Sequence, residues 1–108
     1  VSLPPSTVAA VSKALDLFSN NRDILQKLKS NISYFIHNLN HLGFKIDPKH
    51  ESAIVPLIIG NEKKLGVMYQ SLLEDGILSI PIVYPAVSRK NCRFRFTIMA
   101  THSKSDLD

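Results

Sequence analysis

Arg93 and Arg95 stand two apart in the run Arg93-Phe94-Arg95-Phe96-Thr97-Ile98, which alternates polar and apolar side chains without a break. Such alternation is the pattern of a half-buried strand, with Phe94, Phe96 and Ile98 on one face and Arg93, Arg95 and Thr97 on the other. Burying the phenylalanine face fixes where the opposite face points, so a guanidinium there is aimed by a rigid element rather than left on a loop. A planar guanidinium held this way suits a carboxylate, which accepts two parallel charge-assisted hydrogen bonds from it. The same pattern also describes two ordinary solvated arginines on a half-buried strand, since arginine is mostly an exposed residue.

No other group of chemically capable residues forms a recognisable centre. His37 and His41 lie four apart, but the glutamate of a His-Glu-x-x-His metal motif is missing and both fall mostly off the apolar stripe, as solvated histidines do. No metal site is expected. The chain has no Ser-His-Asp ordering with a local signature, no glycine-rich phosphate loop and no carboxylate cluster, so by itself it is expected to catalyse nothing. The single cysteine, Cys92, has no partner for an internal disulfide, which fits a reducing compartment.

Length and composition narrow the field further. With 108 residues, 44% of them hydrophobic, the chain has material for one core and not two. A net charge of +4 is spread along the sequence, with only loose gathering at Lys63-Lys64 and between Arg89 and Arg95, so nucleic acid is not an expected partner. No apolar run approaches the roughly 20 residues of a membrane span, and the N-terminus lacks the pattern of a signal peptide. A cytoplasmic location is expected.

The elements that must position the arginine strand can be read in order. Ser6 is a plausible N-cap for a short Ala-rich helix over residues 7–18, and Asn20-Asn21 for a longer one ending at Leu42, before Gly43. Ile24, Leu28, Ile32, Phe35, Leu39 and Leu42 give the second helix an apolar stripe. Residues 44–46 read as a short strand. Residues 52–60 read as a longer one, apolar throughout and hence covered on both faces or pressed against helices, with Pro56 pointing to an edge or bulge. Asn61 caps a third helix that Gly76 ends, and residues 77–82 form a strand broken by Pro81. A polar loop over residues 84–91 leads into the arginine strand, and Ser103 with Asp106 makes a capping box for a last helix near Lys104.

The ordered series Glu74-Asp75-Gly76-Ile77, Tyr84-Pro85-Ala86-Val87, Arg93-Phe94-Arg95 and Ala100-Thr101-His102-Ser103 resembles the C-terminal domain of the α-oxoamine synthases. These are pyridoxal-phosphate enzymes of the aspartate-aminotransferase-like fold that join a small amino acid to an acyl-CoA. Ser2-Leu3-Pro4-Pro5, followed by an Ala-rich helix, is similar to the crossover by which they leave their large cofactor domain. The resemblance implies an α+β fold, with a small antiparallel sheet of three or four strands and helices packed on one face. It implies that residues 1–108 are a single domain, the excised C-terminal portion of a larger enzyme, with 1–20 as linker and first helix and 21–108 as the small domain.

For the site, the resemblance assigns Arg95 to the substrate carboxylate and gives Arg93 a secondary, structural part. Tyr84, Pro85, Ala86 and Val87 match the substrate-channel loop, where Ser88 departs from the more usual proline. Ser2 falls near the position that approaches the neighbouring subunit's cofactor phosphate. Lys13, inside a Ser-Lys-Ala-Leu string, lies downstream of Ser-Leu-Pro-Pro and mid-helix, so it does not match the Schiff-base lysine. Pyridoxal phosphate would be bound mainly by the large domain, with the amino acid and acyl-CoA as substrates and a homodimer as the assembly. Thr97-Ile98-Met99-Ala100-Thr101-His102 lacks the run typical of aminolevulinate synthases; aminooxononanoate synthase, aminoketobutyrate CoA ligase and serine palmitoyltransferase are the other branches. A rival of a different kind is a stand-alone module that binds a carboxylate or an acidic partner through Arg89, Lys90, Arg93 and Arg95.

Overall fold

The computed structural model describes residues 2–108. Four helices and three strands follow the order α1 (Pro5–Asn20), α2 (Arg22–His41), β1 (Ile54–Ile58), α3 (Glu62–Glu74), β2 (Ile80–Ile82), β3 (Arg93–Thr97) and α4 (Lys104–Leu107), with a 3-10 turn at Arg89–Asn91 before β3. The strands form one antiparallel sheet in the order β1-β3-β2, so the arginine strand is central and both proline-bearing strands lie at its edges. The α+β expectation holds, with three strands.

Register explains why the helices settle on one side. Val55 pairs with Phe96 and Leu57 with Phe94, which turns these four side chains to the same face. On that face Leu57, Phe94 and Cys92 pack with Leu65 of α3, while Val55 and Ile98 pack with Ile32 and Ile36 of α2 and Leu107 of α4. Phe35 meets Phe96 edge-on, with ring centroids 5.5 Å apart, which joins α2 to the middle of the sheet. Phe94 and Val55 are completely buried. Burying side chains of this size contributes about 1.5–3 kcal/mol each.

Helix ends follow their local chemistry. Gly43 and Gly76 both take positive φ, and each closes a Schellman turn: Phe44 N–H reaches Leu39 C=O at 3.1 Å, and Ile77 N–H reaches Leu72 C=O at 2.7 Å. The Asn61 side chain accepts the Lys64 N–H at 3.0 Å, capping α3 as its sequence predicts. Ser103 and Asp106 complete a reciprocal capping box at α4. α1, by contrast, starts at Pro5 rather than after Ser6, because a proline at the first helical position loses no hydrogen bond and is already set near helical φ. Asn21 precedes α2 without a side-chain capping bond.

Two expectations are corrected by the packing, and a third, a strand covered on both faces or pressed against helices, is narrowed to the second of its alternatives. Residues 44–46 form no strand: the Asn40 side chain bonds both the N–H of Ile46 (2.8 Å) and its C=O (3.0 Å), taking the groups a ladder would need. The apolar stripe of α2 is centred on Ile32 and Ile36 and fades at both ends, leaving Leu42 exposed. β1 is covered on one face only; Ile54 and Ile58 point away from the helices and are about half exposed. Among the described residues no helix is long and apolar enough to cross a membrane.

Candidate functional site

The open face of the sheet is where the two arginines emerge. Arg95 sits at the centre of β3, opposite Pro56 on one side and Ile80 on the other, and is exposed between these apolar neighbours. Among the described residues no carboxylate pairs with it and no backbone group accepts from it. Arg93, two residues earlier on the same face, is half-buried between Ile58 and Ile82. Its Nε–H donates to the carbonyl of Asn91 at 2.8 Å. The Nε–H of Arg93 is therefore engaged in fastening the loop before the strand, while the exposed Arg95 guanidinium has no partner among the described residues.

The loop expected to line a substrate channel leaves β2 after Ile82 and returns to β3 at Arg93. A cis bond joins Tyr84 to Pro85, and the N–H groups of Ala86 and Val87 turn back to the Val83 carbonyl at 3.0 and 3.4 Å. Ser88 precedes the 3-10 turn, and its hydroxyl accepts from the Asn91 side-chain amide at 2.8 Å, a contact a proline there would lack. Tyr84 is exposed. Arg89 forms a 2.8 Å ion pair with Glu62 and lies over the Tyr84 ring, its guanidinium carbon 5.2 Å from the centroid.

These contacts divide the four cations of the rival module. Arg89 is paired, Arg93 is bonded to its own loop, and Lys90 and Arg95 are exposed; the four do not act as one basic patch. Lys13 lies exposed in the middle of α1, a helix none of whose residues is buried. Ser2 lies exposed ahead of α1, which packs on α2. His37 and His41 are exposed, and no group of metal-binding side chains occurs among the described residues.

Two supporting residues escaped the sequence reading. Asn31, buried on α2, donates from one amide nitrogen to the carbonyls of Met99 and His102, both at 3.0 Å, and so clamps the turn that leaves β3. His102 Nδ1 accepts the Met99 N–H in the same turn. Glu62 is the other: a first-turn helix acid carries no sequence signal for a partner 27 residues later. At α4 the Ser103 backbone N–H, and then its hydroxyl, hold the Asp106 carboxyl below the usual carboxylate range.

The whole chain, residues 1–108, matches the family aminotransferase class I and II. It is 39% identical over 107 residues to 8-amino-7-oxononanoate synthase of Thermoanaerobacter pseudethanolicus, covering 99% of this chain and 27% of that protein. It is 34% identical to serine palmitoyltransferase of Bacteriovorax stolpii, over 98% of this chain and 25% of that one. The solved serine palmitoyltransferase of Sphingomonas wittichii superposes with a TM-score of 0.86 at 26% identity, covering 99% of this chain and 27% of that structure. The chain thus spans about a quarter of the length of these relatives. With its motif series, its fold and these likenesses in agreement, the chain belongs to the aminotransferase class I and II family and corresponds to the C-terminal domain of its α-oxoamine synthase branch.

Proposed function

We propose that this chain is the substrate-binding domain of a pyridoxal-phosphate-dependent acyltransferase that condenses a small amino acid with an acyl-CoA, and that Arg95 holds the amino acid's carboxylate. The observation that carries the reading is the state of Arg95: a guanidinium fixed by the central strand, set among apolar side chains, and without an internal acidic partner. The apolar rim formed by Pro56, Ile80 and Ile58 matters as well. Once such a face is covered, the local dielectric falls and an ion pair at Arg95 strengthens relative to one in water.

The described residues do not themselves fit the cofactor, which needs an amine at a pocket floor and several donors around its phosphate; Lys13 stands on an exposed helix. The proposal therefore places pyridoxal phosphate on residues outside this chain. What Arg95 contributes is orientation. Two parallel bonds to the carboxylate fix its plane and position, so that once the amino group is held at a second point the substrate cannot turn about its N–Cα bond and one Cα bond keeps a fixed direction. Tyr84, Pro85, Ala86 and Val87 form the proposed wall along which the acyl-CoA approaches. A homodimer with Ser2 near the partner subunit's site, and a cytoplasmic location, complete the reading. The stand-alone binding module is less well supported, because two of its four cations are already engaged.

Replacing Arg95 with lysine in the complete enzyme tests this. Lysine keeps the charge and loses the fork. A hydrogen bond to a charged group contributes about 1.5–3 kcal/mol, so kcat/KM for the amino acid should fall about tenfold to a hundredfold. The KM for acyl-CoA should change little. Arg93→Lys serves as the control, and an equal loss at both positions, or none at Arg95, would assign the strand a purely structural role.

A further inference from the structure

We propose that Glu62 is a positioning residue that latches the loop over residues 84–89, and through it sets how readily acyl-CoA is admitted. The two ends of the loop are held differently. Its far end is tied by backbone: the carbonyl of Cys92 accepts from the N–H groups of both Ile59 and Gly60, at 3.0 and 3.1 Å. There the chain passes so close that a Cβ on Gly60 would stand 3.3 Å from the Lys90 carbonyl oxygen. The near end has no such ladder. Apart from Asn91, just beyond the far end, whose side-chain amide reaches the Ser88 hydroxyl, Glu62 supplies the only side chain among the described residues that hydrogen-bonds to residues 84–89 from outside, and the only one that reaches the near end.

Glu62 divides its two oxygens between separate parts of the loop. Oε2 accepts from Arg89 Nη1 at 2.8 Å and Oε1 from the Tyr84 N–H at 3.4 Å, while the Arg89 guanidinium lies over the Tyr84 ring. Three residues thus close a triangle across the loop's mouth. Its base is rigid, because Glu62 opens α3 immediately after the Asn61 cap. The Arg89 side chain is 72% exposed and that of Glu62 29%, so the latch is wet and weak. Exposed pairs of this kind shift an equilibrium about two- to fivefold, which suits biasing the loop toward the conformation that receives acyl-CoA without locking it there.

The inference rests on reading residues 84–87 as the substrate loop, and the experiment separates the two. In the complete enzyme, Glu62→Ala should raise the KM for acyl-CoA about twofold to fivefold, leaving kcat and the amino-acid KM unchanged. Glu62→Gln, which keeps an acceptor for the Tyr84 amide, should recover part of the loss. Added salt should raise the wild-type acyl-CoA KM more than that of Arg89→Ala, because only the wild type has an ion pair to screen. Hydrogen exchange gives a readout independent of activity: amides of residues 84–89 should exchange faster in Glu62→Ala and in Arg89→Ala, and those of β3 should not. Unchanged loop exchange in both variants overturns the latch. Faster exchange with an unchanged acyl-CoA KM overturns the latch's role in substrate admission, whereas the substrate-loop reading falls only if Tyr84→Ala also leaves the acyl-CoA KM unchanged. A parallel rise in both KM values indicates general damage and also overturns the proposal. Should Glu62→Ala fail to fold, Arg89→Ala, altered at an exposed position, carries the same test.

Discussion

The two faces of β3 use the same five residues for opposite purposes. Phe94 and Phe96 point into a helix-covered core, where every neighbour is apolar and close, whereas Arg95 stands on the far side among Pro56 and Ile80 with nothing sealing it. The buried face is a device for aiming the exposed one. The two arginines of the open face differ in surroundings: Arg93 is half-buried and its Nε–H is engaged by the Asn91 carbonyl, whereas Arg95, two residues on, is exposed and has no partner among the described residues. Burial and one local hydrogen bond, not charge or spacing, distinguish the two arginines.

This contrast can be broken by mutation. The largest effect should come from the sealed face: Phe94→Ala is expected to destabilise the chain by about 3–5 kcal/mol in chemical denaturation, since the side chain is fully buried between β1 and α3. Arg95→Ala, one residue away, should leave stability within about 0.5 kcal/mol. Comparable losses at both would mean that Arg95 is part of the structure rather than presented by it. Asn31→Ala should have an intermediate cost, about 1–3 kcal/mol, because the Met99 and His102 carbonyls lose their shared donor. Its signature would be faster amide exchange in the turn after β3.

The smallest effect should be seen with pH. Asp106 is held below its usual range in the folded chain by Ser103, so its capping contribution is present above the unfolded carboxyl value near 3.8 and is lost as pH falls through the lower folded value. Acid titration followed at α4, by exchange or by a local probe, should show this helix loosening only in that acid window. Asp106→Asn should remove the acid step, and loosening that begins well above pH 4 would point to a different group.

Much of the scaffold was legible because it depends on near neighbours in sequence. The strand alternation, the two glycine stops, the Asn61 cap and the Ser103 box are contacts spanning six residues or fewer, and each formed. The strand expected over residues 44–46 failed for a local reason of another kind: the Asn40 side chain imitated a strand partner and left no ladder to join. What could not be read was the long-range polar pairing. Asn31 meets carbonyls 68 and 71 residues away, and Glu62 meets an arginine 27 residues on, with no periodicity to announce either. The resemblance already sets Arg95 apart from Arg93, and the structure adds that the Arg93 Nε–H bonds the Asn91 carbonyl while no partner of Arg95 occurs among the described residues.

The prolines of the two edge strands have a consequence for how copies of this sheet meet one another. Ile98 N–H bonds Ala53 C=O and Ile59 N–H bonds Cys92 C=O, so the ladder alternates in a way that makes Pro56 and Arg95 a non-hydrogen-bonded pair, with the Pro56 nitrogen facing off the sheet. The alternation across β3 then gives Pro81 the same outward position opposite Phe94. Each free border of the sheet therefore lacks a donor near its midpoint, and a strand from another molecule trying to extend the sheet would meet a gap in its hydrogen bonding on either side. A surface that leaves Ile54, Ile58 and Ile80 half exposed is thereby guarded against edge-to-edge aggregation without a single added charge.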